Sequence, residues 1–418
     1  MNRLSFVLSS RGVKNTAARA WQVASRFGID AARMEKRLLA YRDIVGEYGG
    51  GPSLPITAAV LDRNPQVARR LSESGVELCV HGLVHTDMAR LPAATQEEHI
   101  RKAVEVFRQN GVDFEGFRSP YLKYNQATLA AVEKAGFEYD SNLPFYWEPA
   151  ESLRRMSAGE AEGLARGLRF YGPVTYPSER SLPRYIGGIV EIPVSLPDDE
   201  ILLDRMGLPV GRIGDVWMEM AGKALERQEL LTVQLHPERV LLLESPLRRV
   251  LEFARSGGSF WIAKMRDIAS WWNDRMRASV EIVPDGKGTY RVTSSGAAGL
   301  GLRVVEPLAG LAVEVAGEGI IRSTTKPVIG ISGDTPPDLR RRIRELGYFI
   351  EITTDRNSVS LYLDRDVEAS DLERLIGRCP KPLLAGTIWP APYRAALTVT
   401  GDIDCLTLGD FVRRFREG

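Results

Sequence analysis

Between residues 55 and 275 the chain alternates short apolar runs with longer amphipathic stretches, and this rhythm limits its possible folds more than any other feature. PITAAVL (55–61), VELCV (76–80), FEGFR (114–118), VEIPV (190–194), LTVQL (231–235) and SFWIA (259–263) have the length and composition of buried strands. Residues 64–74, 95–110, 126–136, 211–228 and 245–256 carry apolar positions at three- and four-residue spacing, several behind Asn, Thr or Ser caps, and read as helices. Strands separated by helices return by crossovers and pair in parallel. The pattern therefore predicts an α/β fold, a parallel sheet with outer helices that is open or closed into a (β/α) barrel. Residues 14–48 extend the helical pattern upstream, with a break expected at Gly28. An Arg-, Gly- and Pro-rich insertion at 148–187 interrupts the rhythm, and loops of that length inside a compact domain are commonly functional or mobile.

After Trp272 the period changes. ASVEIVPDGKGTYRVTSS places a DG turn between alternating strands, and GLRVVEPL and LAVEVAG continue the period of two. KPVIGISGDTPPDLRRRIRELGYFIEIT then reads as strand, Pro-started helix and strand. The expected division is a barrel-like domain at 1–275, a small antiparallel β unit at 276–325, a small α/β module at 326–390, and a strand and helix at 391–418 that complete the barrel.

Composition narrows the partners. In 418 residues, 44% apolar, 55 Lys and Arg face 54 Asp and Glu for a net charge of +1, which argues against disorder and against a nucleic-acid or polybasic membrane surface. Cys79, Cys379 and Cys405 form no CxxC pair and no disulfide framework. The opening MNRLSFVLSSRG has too short an apolar run for a signal, and no stretch approaches the ~20 residues of a membrane span. The expected location is the cytoplasm, with an envelope-associated role also compatible.

Chemistry concentrates at the ends of expected strands. His81-Gly82-Leu83-Val84-His85 ends VELCV in a chain with only four histidines. Two imidazoles at the carboxyl end of a parallel strand face the crevice where such folds place their sites, and they suit Zn²⁺ or a similar divalent ion; the alternative is a pair that hydrogen-bonds a loop. Asp87 is near in sequence and equally suits a turn cap, while His99, in EEHIRKA, reads as a solvated surface residue. Gly116-Phe117-Arg118-Ser119-Pro120-Tyr121 ends a second strand, where Arg118 suits a carboxylate. Leu235-His236-Pro237 ends a third, where His236 suits proton transfer near neutral pH. Tyr146 and Trp147 are candidates for a pocket wall, and LRRRIRELG for a solvated helix face.

Together these motifs resemble the polysaccharide deacetylase family, the NodB-homology carbohydrate esterases, over residues 55–272. His81 to His85 is similar to the family's HxxxH metal motif, Arg118-Ser119-Pro120-Tyr121 to its RxPY motif, and Leu235-His236-Pro237 to its late leucine-histidine motif. Asp140 stands where the family often has an acidic partner. The family's first strand ends in an acidic pair, but LSFVLSSRG offers Ser9 and Ser10. An apolar strand ending in Asp402-Ile403-Asp404 looks like that first motif, displaced to the other end of the chain as in a circular permutation. A polar turn before a terminal helix, capped by Thr407 and Asp410, is the competing explanation of these acids.

The resemblance implies a metal-dependent hydrolase that removes N-acetyl groups from an amino-sugar glycan or sugar conjugate. On that mapping Asp404, His81 and His85 hold a divalent ion, expected to be Zn²⁺, and Asp402 is the base. Arg118 orients Asp402, the Tyr121 backbone N–H stabilises the oxyanion, and His236 protonates the leaving amine. The Ser9-Ser10 strand motivates one alternative, an inactive glycan-binding relative; another keeps the hydrolase and the fold but changes the substrate to a non-sugar amide. The oligomeric state is open at this level.

Overall fold

In the computed structural model, which describes residues 27–315 and 319–417, the alternating pattern builds a nine-stranded sheet. Its strands are β1 (Ser53–Ile56), β2 (Glu77–Val80), β3 (Gly116–Phe117), β4 (Tyr139–Asp140), β5 (Arg184–Ile186), β6 (Ile189–Glu191), β7 (Leu230–Gln234), β8 (Phe260–Ile262) and β9 (Ala395–Thr400). They stand in the order β7-β9-β1-β2-β3-β4-β6-β5, with β8 pairing β9 off that path. Pairing is parallel from β9 to β6, in the registers Ser53–Thr400, Leu54–Leu78, Val80–Phe117, Gly116–Tyr139 and Asp140–Glu191. β5 returns antiparallel, as a hairpin on β6. β1, β2, β7 and β9 are buried along their whole length, as expected for a sheet covered on both faces. Beyond β6 the strand Val194–Leu196 comes against β7, where Ser195 Oγ accepts the Thr232 N–H at 3.0 Å. This curls the sheet into a barrel-like α/β architecture.

The helices cover the sheet with the faces their spacing implies. They are α1 (Ala32–Gly46), α2 (Ala58–Arg63), α3 (Pro65–Glu73), α4 (Ala93–Gln109), α5 (Gln126–Lys134), α6 (Ala158–Tyr171), α7 (Val210–Arg227), α8 (Glu244–Ser256) and α9 (Leu408–Glu417). Pro65 opens α3, which buries Val67, Ala68 and Leu71, and an Asn125–Thr128 capping box opens α5. α7 buries Ile213, Val216, Trp217 and Met220, each such side chain contributing about 1.5–3 kcal/mol by leaving water. From α1 the buried Tyr41 hydroxyl reaches the carbonyls of Leu235 and Thr400, each at 3.1 Å, and ties the helix to the ends of β7 and β9.

Two expectations change. PITAAVL is not one strand, because β1 ends at Ile56 and α2 begins at Ala58. The carbonyls of Gly82 and Leu83 take the Ala58 and Ala59 N–H groups and turn the chain, and a short apolar run does not by its period distinguish strand from helix. The insertion at 148–187 is also more ordered than its composition suggests. It holds α6, started by a Ser157–Glu160 capping box and closed by Gly172 in the left-handed conformation. Of the upstream helical pattern, the described part is α1, and the LSFVLSSRG segment with Ser9 and Ser10 lies outside the described residues.

The described chain divides into two compact units. The first comprises residues up to Gly257, Ile262–Ala269 and the chain from Leu397 onward, and it contains every residue of the site described below. The second comprises Gly258–Trp261 and Ser270–Ala396. In it, Ser279–Pro284 and Thr289–Ser295 form the expected hairpin, while Lys326–Ile331 pairs in parallel with Ile350–Ile352 and Val359–Leu363. Leu302–Glu306, however, takes Leu383–Gly386 as an antiparallel neighbour, and Ile282, Val292, Val328 and Leu384 share one core. The β unit expected at 276–325 and the α/β module expected at 326–390 are thus built around common packing.

Candidate active site

His81 leaves β2 at its carboxyl end, held by its N–H to the Ile56 carbonyl at 3.0 Å. Its Nδ1 lies 2.9 Å from the Arg118 carbonyl. A carbonyl only accepts, so Nδ1 carries the proton and Nε2 presents a lone pair. Gly82 follows at φ +74°, a left-handed turn open to glycine, and brings His85 back until the two rings lie 5.2 Å apart.

Asp402 and Asp404 arrive from β9. An ideal Cβ on Gly401 would stand 1.9 Å from the Leu235 carbonyl oxygen, so only glycine lets the chain pass there. The Ile403 N–H then bonds the Pro55 carbonyl at 2.7 Å and fixes both acids beside β1. Asp404 Oδ1 lies 3.5 Å from His81 Nε2 and 3.3 Å from His85 Nε2. The three donors all lie within 4.8 Å of one another, forming a possible metal site. Ligands on a tetrahedral Zn²⁺ at about 2.0–2.1 Å stand about 3.3–3.4 Å apart, which these separations match. His81 Nε2 and Asp404 Oδ1 are moreover buried with no hydrogen-bond partner among the described residues, an arrangement that costs stability unless a ligand occupies it. The donor set and its two orphaned atoms fit a divalent cation.

Arg414 approaches the same atoms from α9. Its Nη1 lies 2.6 Å from Asp404 Oδ2, and its Nη2 lies 3.0 and 3.2 Å from the two ring nitrogens of His85. Burial opposes a charged Asp404, but Arg414 and the histidines outweigh it and hold the carboxyl well below its ordinary range. Burial, with Arg414, holds His85 well below the usual imidazole range. Ligand-competent forms, an anionic carboxylate and a neutral imidazole, therefore prevail at neutral pH.

Arg118 is the hub of the neighbouring cluster. Completely buried, it donates from Nη1 to Asp402 Oδ1 at 3.1 Å, to Gln234 Oε1 at 2.6 Å and to Thr400 Oγ1 at 2.9 Å. Its Nη2 and Nε hold Ser141 through the hydroxyl and carbonyl. Asp402 Oδ2 faces His81 Nε2 at 3.8 Å. In the turn after Arg118, Tyr121 and Leu122 both adopt positive φ, 60° and 54°, a costly conformation for side-chain-bearing residues. The Tyr121 N–H makes no backbone bond in that turn among the described residues, whereas those of Leu122 and Lys123 do.

His236, at the end of β7, meets Asp199. Its Nδ1 lies 2.8 Å from Asp199 Oδ1 and its backbone N–H bonds Asp199 Oδ2 at 3.2 Å, while Arg239 reaches the same Oδ2 at 2.7 Å. Burial disfavours the imidazolium, but the charge and hydrogen bond of Asp199 overcome it and hold His236 well above its ordinary value. Burial would raise Asp199, yet His236 and Arg239 bring it to about 2. Burial and the charge of Asp199 push neighbouring Asp198 up to about 7.

Other expected residues lie elsewhere. Asp140 does not join the metal donors: burial, then the charge of Glu191, holds its carboxyl well above the ordinary carboxylate range. Asn142 Nδ2 donates to Asp140 at 2.8 Å, and Asn142 Oδ1 takes the Ser119 N–H at 2.6 Å, so the pair supports the Arg118 turn from behind. Asp87 pairs with Arg90 at 3.0 Å. His99 is half-buried on α4 rather than fully solvated, and burial lowers its pKa. Trp147 is buried with its indole N–H on Ser195 Oγ at 2.8 Å, closing the core instead of lining a pocket. Sequence reasoning missed Asp199, whose place in Asp198-Asp199-Glu200 suggests only a helix start, and Arg414, which looks like any cation in the last turn of a helix.

Residues 53–139, which contain both the His81–His85 and Arg118–Tyr121 motifs, match the polysaccharide deacetylase family model. The chain carries a polysaccharide deacetylase domain. Peptidoglycan deacetylase-like protein FGM2 of Gibberella zeae is 29% identical over 80 residues, 19% of this chain and 24% of that protein. The matched stretch thus spans about a quarter of that curated relative. Among solved structures, a probable polysaccharide deacetylase from Pseudomonas aeruginosa PAO1 aligns at TM-score 0.43 and 19% identity, over 63% of this chain and 78% of its own. PuuE allantoinase aligns at TM-score 0.41 and 18% identity, over 57% of this chain and 71% of its own. In the deacetylase domain described here, β9 stands beside β1 although it is the last strand in sequence, and it brings Asp402 and Asp404 to the HxxxH motif.

Proposed function

We propose that this deacetylase domain is a metal-dependent hydrolase that removes N-acetyl groups from an amino-sugar glycan, with its first strand supplied by a circular permutation. The observation that carries this reading is the convergence of one ligand atom each from His81, His85 and Asp404 within 4.8 Å of one another, with His81 Nε2 and Asp404 Oδ1 buried without partners among the described residues. Zn²⁺ is the ion this nitrogen-rich set favours. When bound, the ion supplies Lewis acidity at the acetamide carbonyl and a water of lowered pKa.

The chain's own residues supply the remaining steps. Asp402, aimed by Arg118, takes a proton from the attacking water as it adds to the carbonyl carbon. The unbonded Tyr121 N–H donates to the oxyanion of the tetrahedral intermediate. Its collapse requires the amine to leave in preference to water, and the His236 imidazolium, held protonated by Asp199, delivers the proton that makes nitrogen the better leaving group. Acetate and a free amino sugar result. The test is Asp402→Asn: acetate release from an N-acetylated chitooligosaccharide is expected to fall by at least ~10³-fold while the stoichiometry of bound zinc is retained. Undiminished release would remove Asp402 from the mechanism.

A further inference from the structure

Each acid of the Asp402-Ile403-Asp404 turn has an arginine of its own, and the two arginines are held differently. Arg118 is completely buried, and its guanidinium is taken up by Asp402, Gln234, Thr400 and Ser141. Arg414 comes from α9, and its side chain is 25% exposed beside Asp404. The helix is anchored at its first turn. Asp410 Oδ1 takes the Arg63 Nε–H at 2.6 Å, Asp410 Oδ2 takes the Leu406 and Thr407 N–H groups at 3.2 and 3.0 Å, and Phe411 stacks on Phe27 with ring centroids 5.8 Å apart. Arg414 stands one turn beyond Asp410 on the same face of the helix, so this anchorage carries its guanidinium to the metal site.

The guanidinium blocks none of the three candidate ligand atoms. Nη1 bonds Asp404 through Oδ2 at 2.6 Å, which leaves Oδ1 facing His81 Nε2 and His85 Nε2 at 3.5 and 3.3 Å. Nη2 lies 3.0 and 3.2 Å from the two ring nitrogens of His85. Those nitrogens direct their lone pair and N–H in the ring plane and away from each other, so an atom nearly equidistant from both sits over the ring and takes the lone pair of neither. What Arg414 adds is charge. Imidazole ligands are neutral, so Asp404 supplies the single negative charge of the ligand set, and Arg414 cancels it. Two effects then act on a divalent ion in opposite directions. A group that orients a ligand from behind strengthens metal binding by about 10–100-fold. A unit positive charge a few ångströms from a divalent ion weakens binding by about 10³-fold or more at the effective dielectric of a partly buried site. Repulsion is the larger effect.

We propose that Arg414 is a built-in counter-charge that lowers the affinity of the His81, His85 and Asp404 site for its divalent ion, so that zinc is held more weakly than the three protein ligands alone would hold it. This role rests on the metal site assigned above and gives the last helix of the chain control over how readily that site is loaded.

The probe is zinc alone, titrated into the full chain at neutral pH in competition with a chromophoric chelator. Arg414→Met, close in length and uncharged, is expected to lower the zinc Kd about tenfold or more, while Arg414→Lys, which keeps the charge, leaves it within about threefold. Arg414→Gln, uncharged but still a donor, is expected to tighten zinc as well. Thermal melts with and without zinc separate this role from a structural one. Lost packing lowers both midpoints alike, whereas loss of the counter-charge widens the zinc-induced rise by a few degrees. Unchanged or weaker zinc affinity in Arg414→Met, or equal tightening in Arg414→Lys, overturns the counter-charge. Zinc binding that depends on His81 and Asp404 but ignores Arg414 leaves the metal site standing and removes only the counter-charge. If neither the unsubstituted chain nor Arg414→Met binds stoichiometric zinc, or if binding survives His81→Ala, the metal site itself fails and the counter-charge falls with it.

Discussion

Asp199 decides what His236 is able to do. A general acid works only while protonated, and the carboxylate at 2.8 Å keeps the imidazolium populated above its ordinary range against the opposing effect of burial. In Asp199→Asn the charge is gone, burial and Arg239 remain, and the His236 pKa falls. The alkaline limb of kcat/KM is expected to move to lower pH by about one unit or more, read from a pH–rate profile; a limb that stays in place removes His236 as the acid. The stability linkage has the same origin. His236, raised above its unfolded value near ~6.5, contributes stability that is fully present below that pH and lost as pH rises through its folded pKa. Asp199, lowered to about 2, contributes stability that is present above the unfolded value and lost as pH falls through about 2. None of this was legible in Asp198-Asp199-Glu200, because a partnership across 37 residues leaves no local pattern. His81, His85, Arg118 and His236 were legible because each ends an apolar run, where a polar residue has no packing role to explain it.

At the scale of elements, β9 is the informative strand. AALTVT reads as a buried strand from composition alone, and the two acids beyond it stand out against that background. What composition does not contain is the neighbour of the strand: the Ser53–Thr400 pairing places it beside β1 through contacts remote in sequence. Tyr41 and Gly401 show how that placement is enforced, the first by bonding the carbonyls of both Leu235 and Thr400, the second by leaving no room for a side chain. Because the atom that a new Cβ would strike is backbone, Gly401→Ala has to displace β9 or β7. A loss of about 1–3 kcal/mol or more in unfolding free energy is expected, together with weakened zinc binding. Denaturant melts and metal analysis check both; unchanged zinc affinity in a destabilised protein would show that the acids hold their positions without this close approach. PITAAVL carries the complementary lesson, since its strand-to-helix turn is set by the carbonyls of the HGLVH segment and not by its own residues.

For the whole molecule, the candidate ion is a cross-link. Its donors come from the strand that ends in His81 and from the last strand of the sheet, and the residues of the second unit intervene in sequence between them. Without a ligand, Arg414 balances Asp404 and two buried donor atoms stay unsatisfied, so the folded state gains from binding in a way the unfolded chain, with its donors dispersed, does not. Binding to the folded state alone adds about 2.7 kcal/mol of stability at a free ion concentration one hundred times Kd. Zinc addition is therefore expected to raise the thermal midpoint of the first unit by several degrees and chelation to reverse it. His81→Ala and Asp404→Ala should each flatten the response, for the site loses one of only three protein ligands in either case. A zinc-dependent rise that persists in Asp404→Ala but disappears in His81→Ala would detach the last strand from the ion, and with it the assignment of Asp402 as the base.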